Sequence, residues 1–338
     1  MPWNRICGLH LAQAFSNRAP RGRKPDFRDA ERLVRRLRAE ELILSLVPPP
    51  EPRVWRTMTR MKVQLARDRV RLHSQIECLL EEMRSKLSSV LSDLLGASGR
   101  RLLEALAAGE SDAEKLAGLG SERLQCSQAQ LVAALRGKPE LAHPQLLGLY
   151  LRRLQLIDEQ METVHAMIAQ AMKPHQDAVM RLAEVPGFGA DSAQQVIAEV
   201  GAQAATFDSA AQLASWVGTA PGREESAEQN KSSRSAKGNK YMRRVLTEVA
   251  QAAVKTKGSH WQMVFRRLLP RLGYRQALWA VAHRLCRLVW KILHEGVCYI
   301  EHGEHRDPKA RKRRARVLAR ALRRLGYDVV LSPLPAEA

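Results

Sequence analysis

Downstream of Trp216 the chain places Ser226, Ser232, Ser233 and Ser235 among Arg223, Lys231, Arg234, Lys237, Lys240, Arg243 and Arg244. Clustered cations can hold a scissile phosphate and lower the cost of ionising a nearby hydroxyl. A serine in that setting would attack phosphorus and leave a covalent protein–DNA link. The same composition also describes a solvated, flexible Ser/Lys linker. Asp26 and Asp29 stand three apart, after Gly22-Arg23-Lys24-Pro25. At helical spacing both carboxylates face one way and could share a divalent cation. They are equally ordinary helix-start residues, Asp26 as the cap and Asp29 in the first turn. Gly187-Phe188-Gly189 before a helix resembles the hairpin of a helix-hairpin-helix element, in which glycines let backbone approach a phosphate and the helix N-terminus offers free N–H groups. An αα turn that needs glycine for its φ angles reads the same way.

These groups must be held by helices. Asp26 to Arg38 reads as a short basic helix with Leu33, Val34 and Leu37 on one side, in a first segment that ends at the break of Pro48, Pro49, Pro50 and Pro52. Val54, Met58, Met61 and Leu65, then Leu72, Ile76, Leu79 and Met83, form a heptad seam with a stutter near Asp68. Leu147, Tyr150, Leu154, Ile157, Met161, Val164 and Ile168 form a second seam. Glycines between the two cut the chain into short helices, so the pair predicts an antiparallel coiled-coil arm, or a pair of dimerising helices. Helices are expected at Ser192–Val200, Phe207–Val217, Tyr241–Val254 and Gln276–Leu293. Only Asp328 to Leu331 looks like a strand. The fold class is mainly α, divided at residues 1–50, 51–175, 176–300 and 301–338.

Composition sets the partner. Among 338 residues, 55 Lys and Arg stand against 35 Asp and Glu, a net charge of +20. Residues 1–60 carry 13 basic and 6 acidic side chains and residues 181–300 carry 17 and 9, whereas residues 61–180 carry 15 of each. Nine cations and no acid lie between Lys309 and Arg324, in a basic tail suited to a phosphate backbone. A neutral middle with basic flanks is the footprint of a nucleic-acid-binding protein. Aromatics at 5% argue against a base-stacking platform. No apolar run is long enough for a membrane span. The apolar patch from Ile6 to Phe15 is broken by His10 and Gln13, against a signal peptide. Five scattered cysteines without a C-x-x-C pair fit reduced, cytosolic thiols.

Taken together, these residues resemble the insertion sequence 110 family of transposases, the DEDD-type recombinases. Gly22-Arg23-Lys24-Pro25-Asp26 with Asp29-Ala30-Glu31 looks like the end of the family's N-terminal catalytic domain. Val185-Pro186-Gly187-Phe188-Gly189, Ala214-Ser215-Trp216-Val217-Gly218, Pro221-Gly222, Glu225-Ser226-Ala227, Lys237-Gly238-Asn239 and Met242-Arg243 follow the order of its C-terminal transposase domain.

The resemblance implies an RNase H-like domain joined through a coiled coil to a helical domain with a nucleophilic serine. Ser226 matches that serine; Asp26 and Asp29 match the last two of four magnesium-binding acids. Gly187, Gly189, Arg223, Lys231, Arg234, Lys237, Lys240 and Arg243 are the expected nucleic-acid contacts. The implied partners are double-stranded DNA, an element-encoded guide RNA and further copies of the chain in a dimer or tetramer, in the cytoplasm at the nucleoid. The other two acids belong upstream of the motif, and no acidic residue precedes Asp26 here. Residues 1–50 therefore read as the remnant of the RNase H-like α/β domain in an N-terminally truncated, defective copy. The alternative is a non-catalytic, dimerising nucleic-acid-binding fragment.

Overall fold

A computed structural model describes residues 11–12, 17, 26–43, 45, 47–120, 124–220, 225–226, 229–230, 235, 237–301, 316, 319–320, 323 and 328–330. They are mainly helical and divide into two units. The first takes residues 1–175 with 198–200, and the second takes 176–197 with 201–338.

In the first unit, α1 (Asp26–Arg38) forms where Asp26 and Asp29 favour a helix start and Arg35, Arg36 and Arg38 a helix end. It buries no residue, and Phe27, Val34 and Leu37 lie exposed. The long helix α2 (Pro50–Glu82) begins inside the proline run, because first-turn N–H groups have no intrahelical partner to lose. Four short helices follow: α3 (Leu87–Val90), α4 (Ala97–Ala107), α5 (Ala113–Gly118) and α6 (Gln128–Leu135). Asp112 caps α5, and a Ser127–Gln130 capping box starts α6. Helix α7 (Ala142–Ala171) then returns along α2.

Three side-chain pairings fix α2 and α7 as antiparallel: Trp55 edge-on to His175 just past α7, Arg69 with Asp158, and Glu82 with His143. Of the second expected seam, Leu147, Leu154, Ile157, Val164 and Ile168 are buried, while Tyr150 and Met161 are half-buried. The first seam differs at its start. Met58 and Leu65 are buried as expected, but Val54 and Met61 are exposed, and Trp55, Thr59 and Val63 turn inward instead. An indole buries far more apolar area than a valine, so Trp55 sets the rotation of that turn. Each fully buried Leu or Ile, such as Leu72, Ile76 and Leu147, contributes about 1.5–3 kcal/mol relative to exposure. Within the same unit, Arg60 forks onto both carboxylate oxygens of buried Glu199, at 2.9 and 3.0 Å.

In the second unit, α8 (Gln176–Ala183) leads through a tight turn to α9 (Ala190–Val200), which stops at Gly201 with φ +90°. Next come α10 (Ala210–Val217), α11 (Lys240–Lys255) and α12 (His260–Glu295). Between α10 and α11, β1 (Glu225–Ser226) and β2 (Gln229–Asn230) pair antiparallel in a small hairpin inside the expected loop. Helix α12 is longer than the expected Gln276–Leu293 and is broken at Gly273, where φ is +73° and ψ +169°. Val245, Leu246 and Val249 of α11 and Val281, Leu285, Val289 and Ile292 of α12 are buried where these helices pack. Asp328 to Val330 form no strand, since no neighbouring strand among the described residues supplies a ladder; Leu331 lies outside the described residues. Most of the basic tail also lies outside them.

Asp158 ties three helices of the first unit, accepting from Arg69 Nε at 2.9 Å and from Arg100 of α4. Burial alone would raise its pKa, but hydrogen bonds from Arg100 and Arg69 outweigh this and hold the carboxyl below its usual range. The resulting stabilisation is complete above the unfolded carboxylate pKa of about 3.9 and is lost as pH falls through the lower folded value. Because the cluster is partly solvated, Asp158→Asn should cost about 1 kcal/mol at neutral pH. Urea denaturation should show that difference shrinking below about pH 4; a pH-independent difference would contradict the assignment.

Candidate functional site

The segment carrying Ser226 is a loop whose two ends are fastened together. Its exit is built by the end of α10. Gly218 takes a left-handed conformation (φ +76°), its N–H donates to the Ser215 carbonyl at 3.0 Å, and the Thr219 N–H donates to the Ala214 carbonyl at 2.9 Å. These are the two bonds of a Schellman stop. Thr219 is buried, with its hydroxyl turned back to the Ala214 carbonyl at 3.2 Å.

The return end lies against the same helix terminus. A Cβ on Gly238 would stand 2.1 Å from the Val217 carbonyl oxygen, so only glycine passes here. Asn239 caps α11, its Oδ1 accepting from the Tyr241 N–H at 2.9 Å and the Met242 N–H at 3.1 Å. Arg243 then closes the junction. It donates to the Gly218 carbonyl at 2.5 Å and to Ser235 Oγ at 3.3 Å, and its guanidinium lies 4.5 Å from the centre of the Trp279 ring. In the hairpin that this junction carries, Ser226 pairs with Gln229 and is the last residue of β1 before the two-residue connection.

Beneath the junction α12 contributes Trp279, His283 and Cys286, each about one turn from the next. The His283 Nδ1 is buried with no hydrogen-bond partner among the described residues. Burial pushes the His283 pKa down, Arg287 and Arg284 push it further, and the Thr219 backbone opposes them. Burial pushes the Cys286 thiol up to about 12, so it is no nucleophile at neutral pH.

A sequence model of the transposase family described as IS116/IS110/IS902 matches residues 179–265. Over these residues the chain is similar to transposases of that family. The match runs from Val179 in α8 to Phe265 in α12 and so contains the Ser226 loop with both of its fastened ends. No curated protein matches the chain. Among the described residues, no helix is long and apolar enough to cross a membrane.

Around the Ser226 loop, Lys237 and Lys240 are exposed, with Lys240 Nζ 5.1 Å from the Tyr241 ring centre. Arg223, Lys231 and Arg234 lie outside the described residues. Arg243, expected as a phosphate contact, is engaged inside the junction. The two glycines of the tight turn separate. Gly187 has φ +93°, and a Cβ there would fall 2.4 Å from the Val249 carbonyl oxygen of α11. Gly189 is extended, its N–H donates to Ser192 Oγ at 2.9 Å, and a Cβ would meet nothing within 4 Å. Gly187 thus serves helix packing, while Gly189 faces open space at the start of α9.

Asp26 and Asp29 lie far back in the chain, on α1. Arg32 holds one oxygen of Asp29 at 2.7 Å, and among the described residues no group of three or more metal-ligating side chains forms. Two carboxylates, one already paired, do not make a magnesium site by themselves, since that ion takes octahedral oxygen ligation. Trp279, His283 and Thr219 are not among the residues whose sequence pattern points to the site. The available signal was a Trp and a His one turn apart on an amphipathic helix, a pattern shared with plain core packing.

Stability measurements should sort the glycines. Gly238→Ala and Gly187→Ala should each cost about 1–3 kcal/mol, because a methyl group meets fixed backbone. Gly189→Ala should stay within about 0.5 kcal/mol of the parent. Equal effects at all three positions in thermal denaturation would contradict the packing described.

Proposed function

We propose that the chain is the strand-transfer subunit of a mobile element and that Ser226 forms its phosphoserine link to DNA. The supporting observation is a transposase-family segment that fastens both ends of the Ser226 loop to one helix terminus. In this reading the Ser226 Oγ attacks a backbone phosphorus as its proton leaves. The bond from phosphorus to one strand's terminal oxygen breaks, and that oxygen departs as a hydroxyl after taking up a proton. The diester is conserved in the phosphoserine, so attack by a hydroxyl of another strand rejoins the DNA and releases Ser226. Lys237 and Lys240, with Arg223, Lys231 and Arg234 from the same loop, neutralise the phosphate. Arg243 positions the loop from below and does not hold the phosphate itself.

Asp26 and Asp29 supply part of a magnesium site that further ligands must complete, and the ion there would stabilise charge on phosphate oxygens. An element-encoded guide RNA selecting donor and target DNA, and a dimer or tetramer joined through α2 and α7 as a coiled coil, complete the proposal.

The engagement of Asp29 by Arg32 favours a second reading, a nucleic-acid-binding chain without catalysis. The two are separated by incubating the chain with nicked duplex DNA and magnesium and looking for DNA–protein complexes that survive denaturation. Wild type should give such complexes, Ser226→Ala none, and Arg243→Ala at least tenfold fewer. Complexes persisting in Ser226→Ala would overturn the assignment. DNA binding by wild type without any covalent product would establish the second reading.

A further inference from the structure

The longest stretch of the chain without a carboxylate runs from Val249 to His294, and it contains nearly all of α12. Within it Arg267, Arg271 and Arg275 are exposed, and among the described residues none of them meets a carboxylate. Arg267 and Arg271 stand one turn apart. Gly273, three residues after Pro270, then breaks the helix, and Tyr274 and Arg275 open its second part. Helix starts favour acidic side chains, because unpaired N–H groups already concentrate positive charge there. Here that first turn carries Arg275 and no acid, with Arg271 just before the break. Such an arrangement costs stability in the free protein and is offset when an anion is bound.

We infer that Arg267, Arg271 and Arg275 form a docking surface for the phosphate backbone of duplex DNA, beside the Ser226 loop. The placement rests on the proposed strand-transfer role. Arg275 lies one turn from Trp279, the residue on which Arg243 stacks while gripping Gly218 and Ser235. A duplex seated on the arginines therefore passes the base of the serine loop. Duplex is favoured over single strand because the exposed aromatic at the break, Tyr274, already packs edge-on against Phe265, 5.5 Å between ring centres. A base-stacking surface would need that ring free.

The test is the salt dependence of binding by the full chain to a duplex DNA, read by fluorescence anisotropy. Replacing all three arginines by glutamine should lower the slope of log K against log salt by about 2–3, close to 0.9 for each phosphate no longer neutralised. Affinity at about 0.1 M salt should fall at least tenfold. The Arg267→Lys, Arg271→Lys, Arg275→Lys variant should keep the parental slope, and circular dichroism should show unchanged helix content in both variants. Ser226→Ala should bind with the parental slope, so a failure of the serine chemistry leaves this result readable. An unchanged slope in the glutamine variant would overturn the inference, as would a loss confined to single-stranded DNA or to RNA.

Discussion

The carbonyl of Gly218 is the point on which the second unit's organisation turns. A helix that ends inside a protein leaves carbonyl groups without partners, and burying one unpaired costs on the order of 1–3 kcal/mol. The Schellman bonds at the end of α10 satisfy two of them, and Arg243 takes the carbonyl of Gly218 itself. Because Arg243 stands on the first turn of α11, that hydrogen bond joins the end of one helix to the start of the next. The chain between them has no choice but to leave and return at one place. A cation beside the negative end of α10 adds a favourable dipole interaction.

Two further constraints rest on this contact. Gly238 must lack a side chain, because its backbone passes within van der Waals reach of Val217. Trp279 must present its ring to Arg243, which fixes the rotation of α12 and brings His283 and Cys286 under Thr219. The serine hairpin thus stands on a base made from α10, α11 and α12. A reactive loop needs such a base, since small errors in positioning cost large factors in rate.

The units also differ in how they use charge. In the first, arginines meet acids: Arg69 and Arg100 at Asp158, Arg56 and Arg60 at Glu199. In the second, Arg243 is engaged by carbonyl, hydroxyl and ring, and the arginines flanking the break in α12 meet no carboxylate among the described residues. These arginines of the first unit meet carboxylates, whereas Arg243 of the second is held by a carbonyl, a hydroxyl and a ring.

Local pattern was sufficient for much of this protein. The helix at Asp26–Arg38, the buried seam from Leu147 to Ile168, the stop at Gly201 and the serine-containing loop were all legible, because each depends on neighbours within a few residues. The resemblance to transposases was legible for the same reason, resting on short motifs in a fixed order. What tertiary structure decided involves partners distant in sequence. It turned Trp55 inward in place of Val54, packed Gly187 against α11, and engaged Arg243 with Gly218, Ser235 and Trp279. It also exposed the arginines at the α12 break, which in sequence are scattered charges on an apolar helix. Periodicity records which face of a helix is buried, but not what lies opposite, and that contact determines whether an arginine or a glycine serves the fold or the ligand.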